Sequence, residues 1–130
     1  ALPICEVPNP ELFGGEDNER VRFVMETLKG RDADYRRHSI DLREKYAGRC
    51  QICGYDPRAQ YGHETCHVHH IVWLSRGGDH DRNNLVLLCP NHHSIIHRDD
   101  ASFDYADLEF SFSNGTAESL RLNSHIEVAA

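Results

Sequence analysis

The chain has no long hydrophobic run, and its apolar stretches are far shorter than the ~20 residues needed for a membrane-spanning helix. The sequence shows no secretion signal, that is, no charged segment followed by an apolar one. We therefore expect neither membrane insertion nor secretion. Internal repeats and low-complexity tracts are absent too. With 130 residues, of which 39% are apolar and 27% charged, the chain is expected to form one compact domain.

Positive charge is scarce, because 14 Lys and Arg face 21 Asp and Glu and the formal net charge is -7. This balance argues against a generic nucleic-acid-binding surface, since phosphate contacts normally come from clustered Lys and Arg. The objection is limited, because bound divalent cations add positive charge where a phosphate would lie. Several arginines are also grouped locally: Arg31, Arg36, Arg37, Arg43 and Arg49.

The cysteines do not form a disulfide framework. They are five, an odd number, and four lie at or near metal-ligand spacings, which favours a reducing compartment and a cytoplasmic location. The Cys50–Cys53 pair and the Cys89–His92 pair, each spaced by two residues, offer three thiolates and one imidazole. This donor set suits a structural, tetrahedral Zn²⁺. Cys66 is interpreted as a core residue or a competing ligand, and Cys5 as a bystander.

The segment between these pairs is longer than the ~12 to 20 residues common in small zinc fingers, so a further structure must be built inside it. Zinc would hold that structure in register where so short a segment cannot build a core. Within the segment and just after it, histidine is concentrated, since eight of the ten histidines lie between His63 and His97. This concentration of histidines indicates that the functional site lies in this part of the chain.

A second metal site is predicted from helical spacing. His93 and His97 are four residues apart on an expected helix, so both imidazoles leave the same face and can bind one cation. A third ligand from the preceding strand, for which we choose His69, would complete a three-residue site with open positions for water and a phosphate oxygen.

Proline and glycine dominate residues 1–15, which we interpret as an arm or linker. Apolar residues at helical spacing predict one helix from Glu16 to near Gly30 and another from Asp32 or Asp34 to near Gly48. The arginines of the second helix are open to two interpretations, a solvated face paired with acids or contacts to a DNA backbone.

Residues 54–66 are predicted to be a polar loop, followed by a strand over His67–Trp73 and a turn at Arg76–Asp79. A second strand is expected over Asn84–Leu88 and a helix over Pro90–Arg98, with Pro near its first turn. The order is strand, strand, helix. A hairpin follows, with Asn114-Gly115 as its turn and alternating apolar residues on both sides.

These motifs resemble the HNH endonuclease family, the ββα-metal nucleases. The residues that carry the resemblance are His69-His70-Ile71, Ser75-Arg76-Gly77-Gly78, Asn83-Asn84-Leu85-Val86-Leu87-Leu88-Cys89 and His92-His93. It covers about Arg49 to Arg98. The resemblance implies that His69 binds the catalytic cation, that His70 is the general base, and that Asn84 precedes the second strand. Asn84 is counted with His70 among the catalytic residues, and its amide is expected to orient the loop or the base, since it is a poor acid or base. It also implies that His93 is a ligand at the helix, with His97 as a further one.

One departure from the family pattern concerns the zinc site, because His92 stands where many members have a fourth cysteine. It leaves His92 and His93 able to exchange roles. A second difficulty is that adjacent side chains of a strand point to opposite faces, so His69 and His70 can act together only with a local twist or bulge. His67, which shares a face with His69, is kept as an alternative ligand or a supporting residue.

The expected fold is α+β, with a zinc-stabilised ββα-metal core, N-terminal helices and a C-terminal β-hairpin. The expected divisions are an arm over 1–15, a helical extension over 16–48, the HNH core over 49–100 and the hairpin packed on the core over 101–130. DNA contacts, mainly to the backbone, are assigned to arginines of the second helix and of the turn: Arg36, Arg37, Arg43 and Arg76.

The cofactors expected are a structural Zn²⁺ and a catalytic divalent cation. Three imidazoles suit transition metals such as Zn²⁺, Mn²⁺, Ni²⁺ or Co²⁺ better than Mg²⁺, which prefers oxygen ligands, whereas the resemblance implies Mg²⁺ or Mn²⁺. The resulting hypothesis is a metal-dependent endonuclease that hydrolyses DNA phosphodiester bonds, by nicking or by cutting both strands. The alternative is a zinc-finger module that binds DNA without hydrolysis.

The biological role rests on analogy with HNH domains of bacterial restriction and anti-phage systems, and homing or phage-packaging roles stay open. No element that would select a target sequence is evident, so target choice is expected from a further domain or a partner subunit.

Overall fold

The structure, a computed structural model, describes residues 32–129. The arm and first helix predicted over residues 1–30 lie outside this range. In chain order the helices are α1 (Ala33–Lys45), α2 (Pro57–Tyr61) and α3 (Pro90–Asp99). The strands are β1 (His67–His70), β2 (Leu85–Leu88), β3 (Ser102–Asp104), β4 (Glu109–Ser111) and β5 (Ala117–Ser119). Within residues 32–129, no helix combines the length and the apolar character needed to cross a membrane.

Helix α1 begins where the sequence predicts. The carboxylate of Asp32 accepts hydrogen bonds from the backbone N–H groups of Asp34 and Tyr35, so it caps the first turn. Leu42, on the inner face, and Tyr46, just after the last turn, are both buried. Burial of these two side chains attaches the helix to the core.

Strands β1 and β2 form a regular antiparallel ladder, in which His67 pairs with Leu88 and His70 with Leu85. All four residues of β2 are buried, because helix α3 packs on both strands and α1 also reaches β2. Strand β1 is shorter than predicted, since residues 71–73 leave the ladder. The two strands and α3 give the expected ββα core.

Two local predictions are corrected. The segment predicted as a polar loop over 54–66 contains α2, whose first turn is capped by Asp56 through a hydrogen bond from the N–H of Ala59. Asn84 does not open the second strand but ends a short 3-10 helix, Arg82–Asn84, that delivers the chain to β2. In both places a polar side chain accepts a hydrogen bond from a backbone N–H group of a single helical turn. One turn is too short to produce a recognisable periodicity of apolar residues in the sequence.

The C-terminal hairpin is present as β4 and β5, and its turn contains Gly115 at φ +92°. Strand β3 adds to the outer side of β4, so the sheet has three strands instead of the predicted two. Phe110 of β4 is buried in the main core and lies near Phe103 of β3. The sheet is therefore tied to the ββα core by aromatic packing.

A buried glutamine joins the three parts. The side-chain amide oxygen of Gln51 accepts a hydrogen bond from the N–H of Leu87, and its backbone N–H donates to the Leu87 carbonyl, which fixes the Cys50–Cys53 turn against β2. Its amide nitrogen donates to the carbonyl of Leu122, beyond β5. One side chain thus connects the cysteine turn, the ββα core and the C-terminal segment.

Candidate metal centres

The first centre brings together Cys50, Cys53, Cys89 and His92, whose donor atoms all lie within 4.8 Å of one another. The sulfur atoms of Cys53 and Cys89 are 4.0 Å apart, and Nδ1 of His92 lies 3.3 Å from the sulfur of Cys89. A tetrahedral zinc with Zn–S of about 2.3 Å and Zn–N of about 2.05 Å separates its ligands by roughly 3.6 to 3.8 Å. The four residues therefore fit a zinc ion.

The electrostatics of this centre favour one thiolate, on Cys50, whereas burial raises the pKa of Cys53 and the hydrogen bond with Cys50 raises that of Cys89. Hydrogen bonds from the Cys89 thiol and from His92 lower the pKa of Cys50 to about 3, against the opposing effect of burial. The hydrogen bond with Cys50, aided by Glu118, raises the pKa of His92. Thiolate and imidazole groups already paired in this way exchange their protons for a cation when zinc binds.

Glu118 of β5 completes the zinc centre from outside. Its two carboxylate oxygens lie 3.1 and 3.2 Å from Nε2 of His92, while Nδ1 of the same ring faces the cysteines. Nε2–H therefore donates to a carboxylate and Nδ1 is the ligand atom, an arrangement that orients metal-binding imidazoles in many proteins. Sequence reasoning missed Glu118, because no spacing links position 118 to position 92.

The second centre consists of His69 on β1 and of His93 and His97 on α3, all buried, with ligand atoms within 4.8 Å of one another. Both ring nitrogens of His69 and Nε2 of His93 have no hydrogen-bond partner among the described residues. Buried nitrogens in that state cost free energy unless something binds them. Three converging imidazoles with such nitrogens fit a divalent cation.

Burial also keeps the imidazoles of His69 and His93 in the form that binds metals. It places the pKa of His69 well below its ordinary value, and the nearby His93 and His97 add repulsion between like charges. Burial, followed by the repulsion from His97, lowers the pKa of His93 to about 3. Neutral imidazole is the ligand form, so neither of these two residues needs to lose a proton near neutral pH before it binds a cation.

Aromatic and imidazole rings enclose the cluster. The indole of Trp73 stacks on His97 with centroids 5.0 Å apart and planes at 18°. Phe110 lies 6.4 Å from His69, centroid to centroid. On the open side, Nδ1 of His67 lies 2.8 Å from Nδ1 of His93, which leaves Nε2 of His93 to bind a cation. His67 therefore supports His93 instead of joining the ligand set.

The adjacent His92 and His93 enter different centres, because consecutive residues of a helix point about 100° apart. His92 faces the cysteines and His93 faces His69 and His97. The structure thus places the two histidines in different groups of potential metal ligands.

His70 leaves the strand on the other side from His69. Its ring stacks on Tyr35 at 5.3 Å and 17°, and its Nε2 lies 3.0 Å from Nδ1 of His80. The ladder between β1 and β2 is regular, so there is no bulge to bring the two rings together. The charges of His70 and His69 nevertheless interact, which is one of the smaller causes of the low pKa of His69.

Asn84 holds the connection between β1 and β2. Its Oδ1 accepts a hydrogen bond from the N–H of Val72 at 2.7 Å, and its Nδ2 donates to the carbonyls of Val72 and Asp79. Gly78 is required in the same place, because a Cβ atom there would lie 1.8 Å from the carbonyl oxygen of Val72. The structure thus gives Asn84 a role in shaping the loop that carries His80.

The four arginines assigned to DNA contacts lie in different surroundings. Arg36 is exposed. Arg37 is exposed and paired with Asp34. The guanidinium of Arg43 donates to Glu64 and to the carbonyl of Cys66, which binds α1 to the segment before β1.

Arg76 makes two hydrogen bonds to the carboxylate of Asp100 and lies 4.1 Å above the ring of Trp73. It is thereby placed at the edge of the histidine cluster, next to the ring that covers His97.

Two antiparallel strands and a helix that present three imidazoles, beside a cysteine-rich zinc centre, define a ββα-metal unit. Residues 50–99 match the family model described as HNH endonuclease. This segment of the chain is therefore similar to HNH endonuclease domains. No significant match was found among curated proteins or among solved structures. HNH nucleases use divalent metals and act on DNA, so the match supports a nuclease-type function in general.

Proposed function

We propose that this protein is a metal-dependent endonuclease that hydrolyses DNA phosphodiester bonds. The observation that carries the proposal is the convergence of His69, His93 and His97, with ring nitrogens of His69 and His93 that find no hydrogen-bond partner within residues 32–129. A purely structural zinc finger needs one set of four ligands, which Cys50, Cys53, Cys89 and His92 already provide. A second set of ligands, next to His70 on the same strand, indicates a function other than structural zinc binding.

His70 is proposed as the general base. It takes a proton from a water molecule, whose oxygen forms a bond to phosphorus as the bond from phosphorus to the leaving oxygen breaks. The products are one end with a phosphate monoester and one with a hydroxyl. His69, His93 and His97 would hold a divalent cation, which would supply positive charge to the phosphate oxygens and to the leaving oxygen.

His69 and His70 diverge without the bulge expected from the sequence, so they can act on one phosphate only from opposite sides. In an in-line displacement the attacking and leaving oxygens lie on opposite sides of phosphorus, so the base and the cation site need not touch. Residues on the two faces of one short strand can flank a phosphate held across its end. Asn84 acts indirectly, by fixing the loop through its bonds to Val72 and Asp79.

The proposed cations are Mg²⁺, Mn²⁺, Ni²⁺ and Zn²⁺, because the nitrogen ligands favour transition metals while the resemblance points to Mg²⁺ or Mn²⁺. The proposed DNA contacts run through the exposed Arg36 and Arg37, through Arg43 on the same helix and through Arg76 beside the histidine cluster. All of these are backbone contacts, so their loss should weaken binding to every sequence alike.

Plasmid cleavage tests the proposal. Supercoiled DNA is incubated with wild-type protein and each of the four cations, and with two variants, His70→Ala and His63→Ala. His63 is exposed and belongs to neither ligand cluster, so it is the matched control. We expect nicked or linear products from wild type and His63→Ala, and a loss of about 100-fold or more in His70→Ala, which lacks its base.

Equal cleavage by wild type and His70→Ala would overturn the assignment of the base. Binding to DNA without cleavage in any cation would overturn the enzyme and support the zinc-finger binding module instead.

The cellular role is proposed from the family resemblance alone. A domain of this kind would serve as the nuclease of a bacterial restriction or anti-phage defence protein, with target choice made by a further domain or a partner. Phage plaque counts on cells that express this protein, against cells that express His70→Ala, test this role. Equal counts would contradict it.

A further inference from the structure

His80 lies in the connection between β1 and β2 and contacts the proposed base. Its Nδ1 is 3.0 Å from Nε2 of His70. The ring of Tyr35, from helix α1, stacks on His70 and also lies 5.3 Å from the ring of His80, centroid to centroid. The three rings form one cluster on the face of β1 opposite to His69.

The loop that carries His80 is fixed on both sides of it. On one side, the carbonyl of Asp79 accepts a hydrogen bond from the amide of Asn84. On the other, the N–H of Asp81 donates to the Asp79 carboxylate, and the carbonyl of Asp81 accepts from the N–H of Asn84. The position of the imidazole is therefore set by the same residue that shapes the loop.

The hydrogen bond between the two rings has two possible directions. A neutral imidazole has one N–H donor and one acceptor nitrogen. If Nε2–H of His70 donates to Nδ1 of His80, Nδ1 of His70 carries a lone pair and can accept a proton. In the reverse direction Nδ1 of His70 carries the hydrogen, and the ring has no nitrogen with which to take a proton from water.

We propose that His80 is a positioning residue for the general base His70. It accepts the Nε2–H of His70 and so selects the tautomer in which Nδ1 can receive a proton. This inference rests on the proposed function. When the water proton arrives at Nδ1, the bond from Nε2–H to His80 becomes charge-assisted and stronger, so His80 also stabilises the imidazolium. The arrangement resembles the way a carboxylate orients a catalytic histidine in other hydrolases, with a neutral acceptor in its place.

Tyr35 has the complementary task of holding the plane of the ring. Its face-to-face contact with His70 restrains rotation about the bond to Cβ, while His80 fixes which edge points inward. Tyr35 lies outside the segment that matches the HNH family, which covers residues 50–99. Helix α1 would thus help to orient the general base His70, although it lies outside the segment that matches the HNH family.

Two substitutions separate the hydrogen bond from ring packing. His80→Phe keeps an aromatic ring beside Tyr35 and His70 but removes the acceptor. His80→Asn keeps a polar side chain that can place an acceptor oxygen near the position of Nδ1. His63→Phe, at an exposed position outside the cluster, is the matched control.

Steady-state cleavage of a short duplex at varied concentration, with saturating Mn²⁺, gives kcat and KM for each variant, and thermal melting checks folding. We expect His80→Phe to lower kcat by about 10- to 100-fold with KM unchanged, as for other residues that orient a functional histidine. His80→Asn should recover a large part of that loss. Ring ¹⁵N spectra should show the Nε2–H tautomer of His70 in wild type and a changed ring signal in His80→Phe.

The outcomes are distinguishable. No cleavage by the wild type with any of the four cations would overturn the proposed function and this inference with it. Cleavage by the wild type with an equal kcat in folded His80→Phe would overturn the role of His80 and leave the nuclease assignment standing. An unchanged His70 ring signal in His80→Phe would overturn the selection of the tautomer.

Discussion

His67 and His93 are joined through their Nδ1 atoms, 2.8 Å apart, and this contact leaves Nε2 of His93 as the nitrogen able to bind a cation. Sequence spacing places His67 on the same strand face as His69, which made it a candidate ligand. The structure instead shows it at the exposed side of the cluster, against the far side of the His93 ring. A hydrogen bond of this kind fixes both the tautomer and the orientation of a ligand.

The first prediction follows from this contact. Substitution His67→Ala should weaken binding of the catalytic cation by about 10- to 100-fold, because His93 loses the partner that orients it. Calorimetric titration of zinc-loaded protein with Ni²⁺ measures the affinity, and the exposed His63→Ala serves as control. An affinity equal to that of wild type would show that the contact does not orient His93.

The zinc centre gives the second prediction. Substitution Cys50→Ser should remove the bound zinc and the cooperative melt, since the metal joins the Cys50–Cys53 turn to the start of helix α3. Cys66→Ala is the control, because Cys66 is buried but lies outside both ligand clusters. Metal analysis and thermal melting check both variants. Zinc retained in Cys50→Ser would contradict the assignment.

Glu118 provides the third prediction. Glu118→Gln should lower zinc affinity by about 10- to 100-fold, because a neutral amide is a poorer acceptor for Nε2–H of His92 than a carboxylate. Competition with a chromophoric chelator gives the affinity. Glu109→Gln, on the neighbouring strand β4, removes the same charge without touching His92, and there we expect no change.

His125 leads to the fourth prediction, on acid stability. Burial lowers its pKa below the ordinary value of 6.5. Its Nε2–H donates to the carbonyl of Leu85, and its Nδ1 pairs with the hydroxyl of Tyr46, which already accepts from the N–H of Ser124. Burial is the largest cause of the lowered pKa, so the folded state favours the neutral imidazole, whose Nδ1 accepts the hydrogen of the Tyr46 hydroxyl.

The direction of the pH effect on stability follows from the number of protons that the folded and unfolded states bind. Below about pH 6.5 the unfolded chain binds a proton at His125 that the folded chain resists, so stability is lost as the pH falls from that value toward the lowered folded pKa. Denaturant melts from pH 8 to pH 5 should show a smaller loss in His125→Gln than in wild type. Parallel curves for the two proteins would contradict the assignment.

The sequence allowed the parts of the site that depend on local spacing to be predicted. Helical periodicity placed His93 and His97 on one face, and the paired ligands two residues apart located the zinc centre. Strand alternation correctly warned that His69 and His70 diverge. These are consequences of backbone geometry over a few residues, so a single sequence carries them.

Contacts between distant segments could not be predicted in this way. Glu118 meets His92 only because the C-terminal sheet packs on the core, and Tyr35 meets His70 only because α1 packs next to β2. The role of His80 could not be predicted from the sequence, because a single histidine in a polar turn belongs to no periodic pattern. Strand β3 is three residues long, and its pairing with β4 depends on tertiary packing instead of propensity.

The central claim is that His69, His93 and His97 hold the cation used for cleavage. It is tested most directly by titrating Mn²⁺ into zinc-loaded protein while the rate of plasmid nicking is recorded, for wild type and for His93→Ala. The account predicts that nicking by the wild type saturates with one added cation per chain, and that His93→Ala keeps its zinc and its cooperative melt but neither binds that cation nor nicks DNA. Nicking by His93→Ala at the wild-type rate would contradict it.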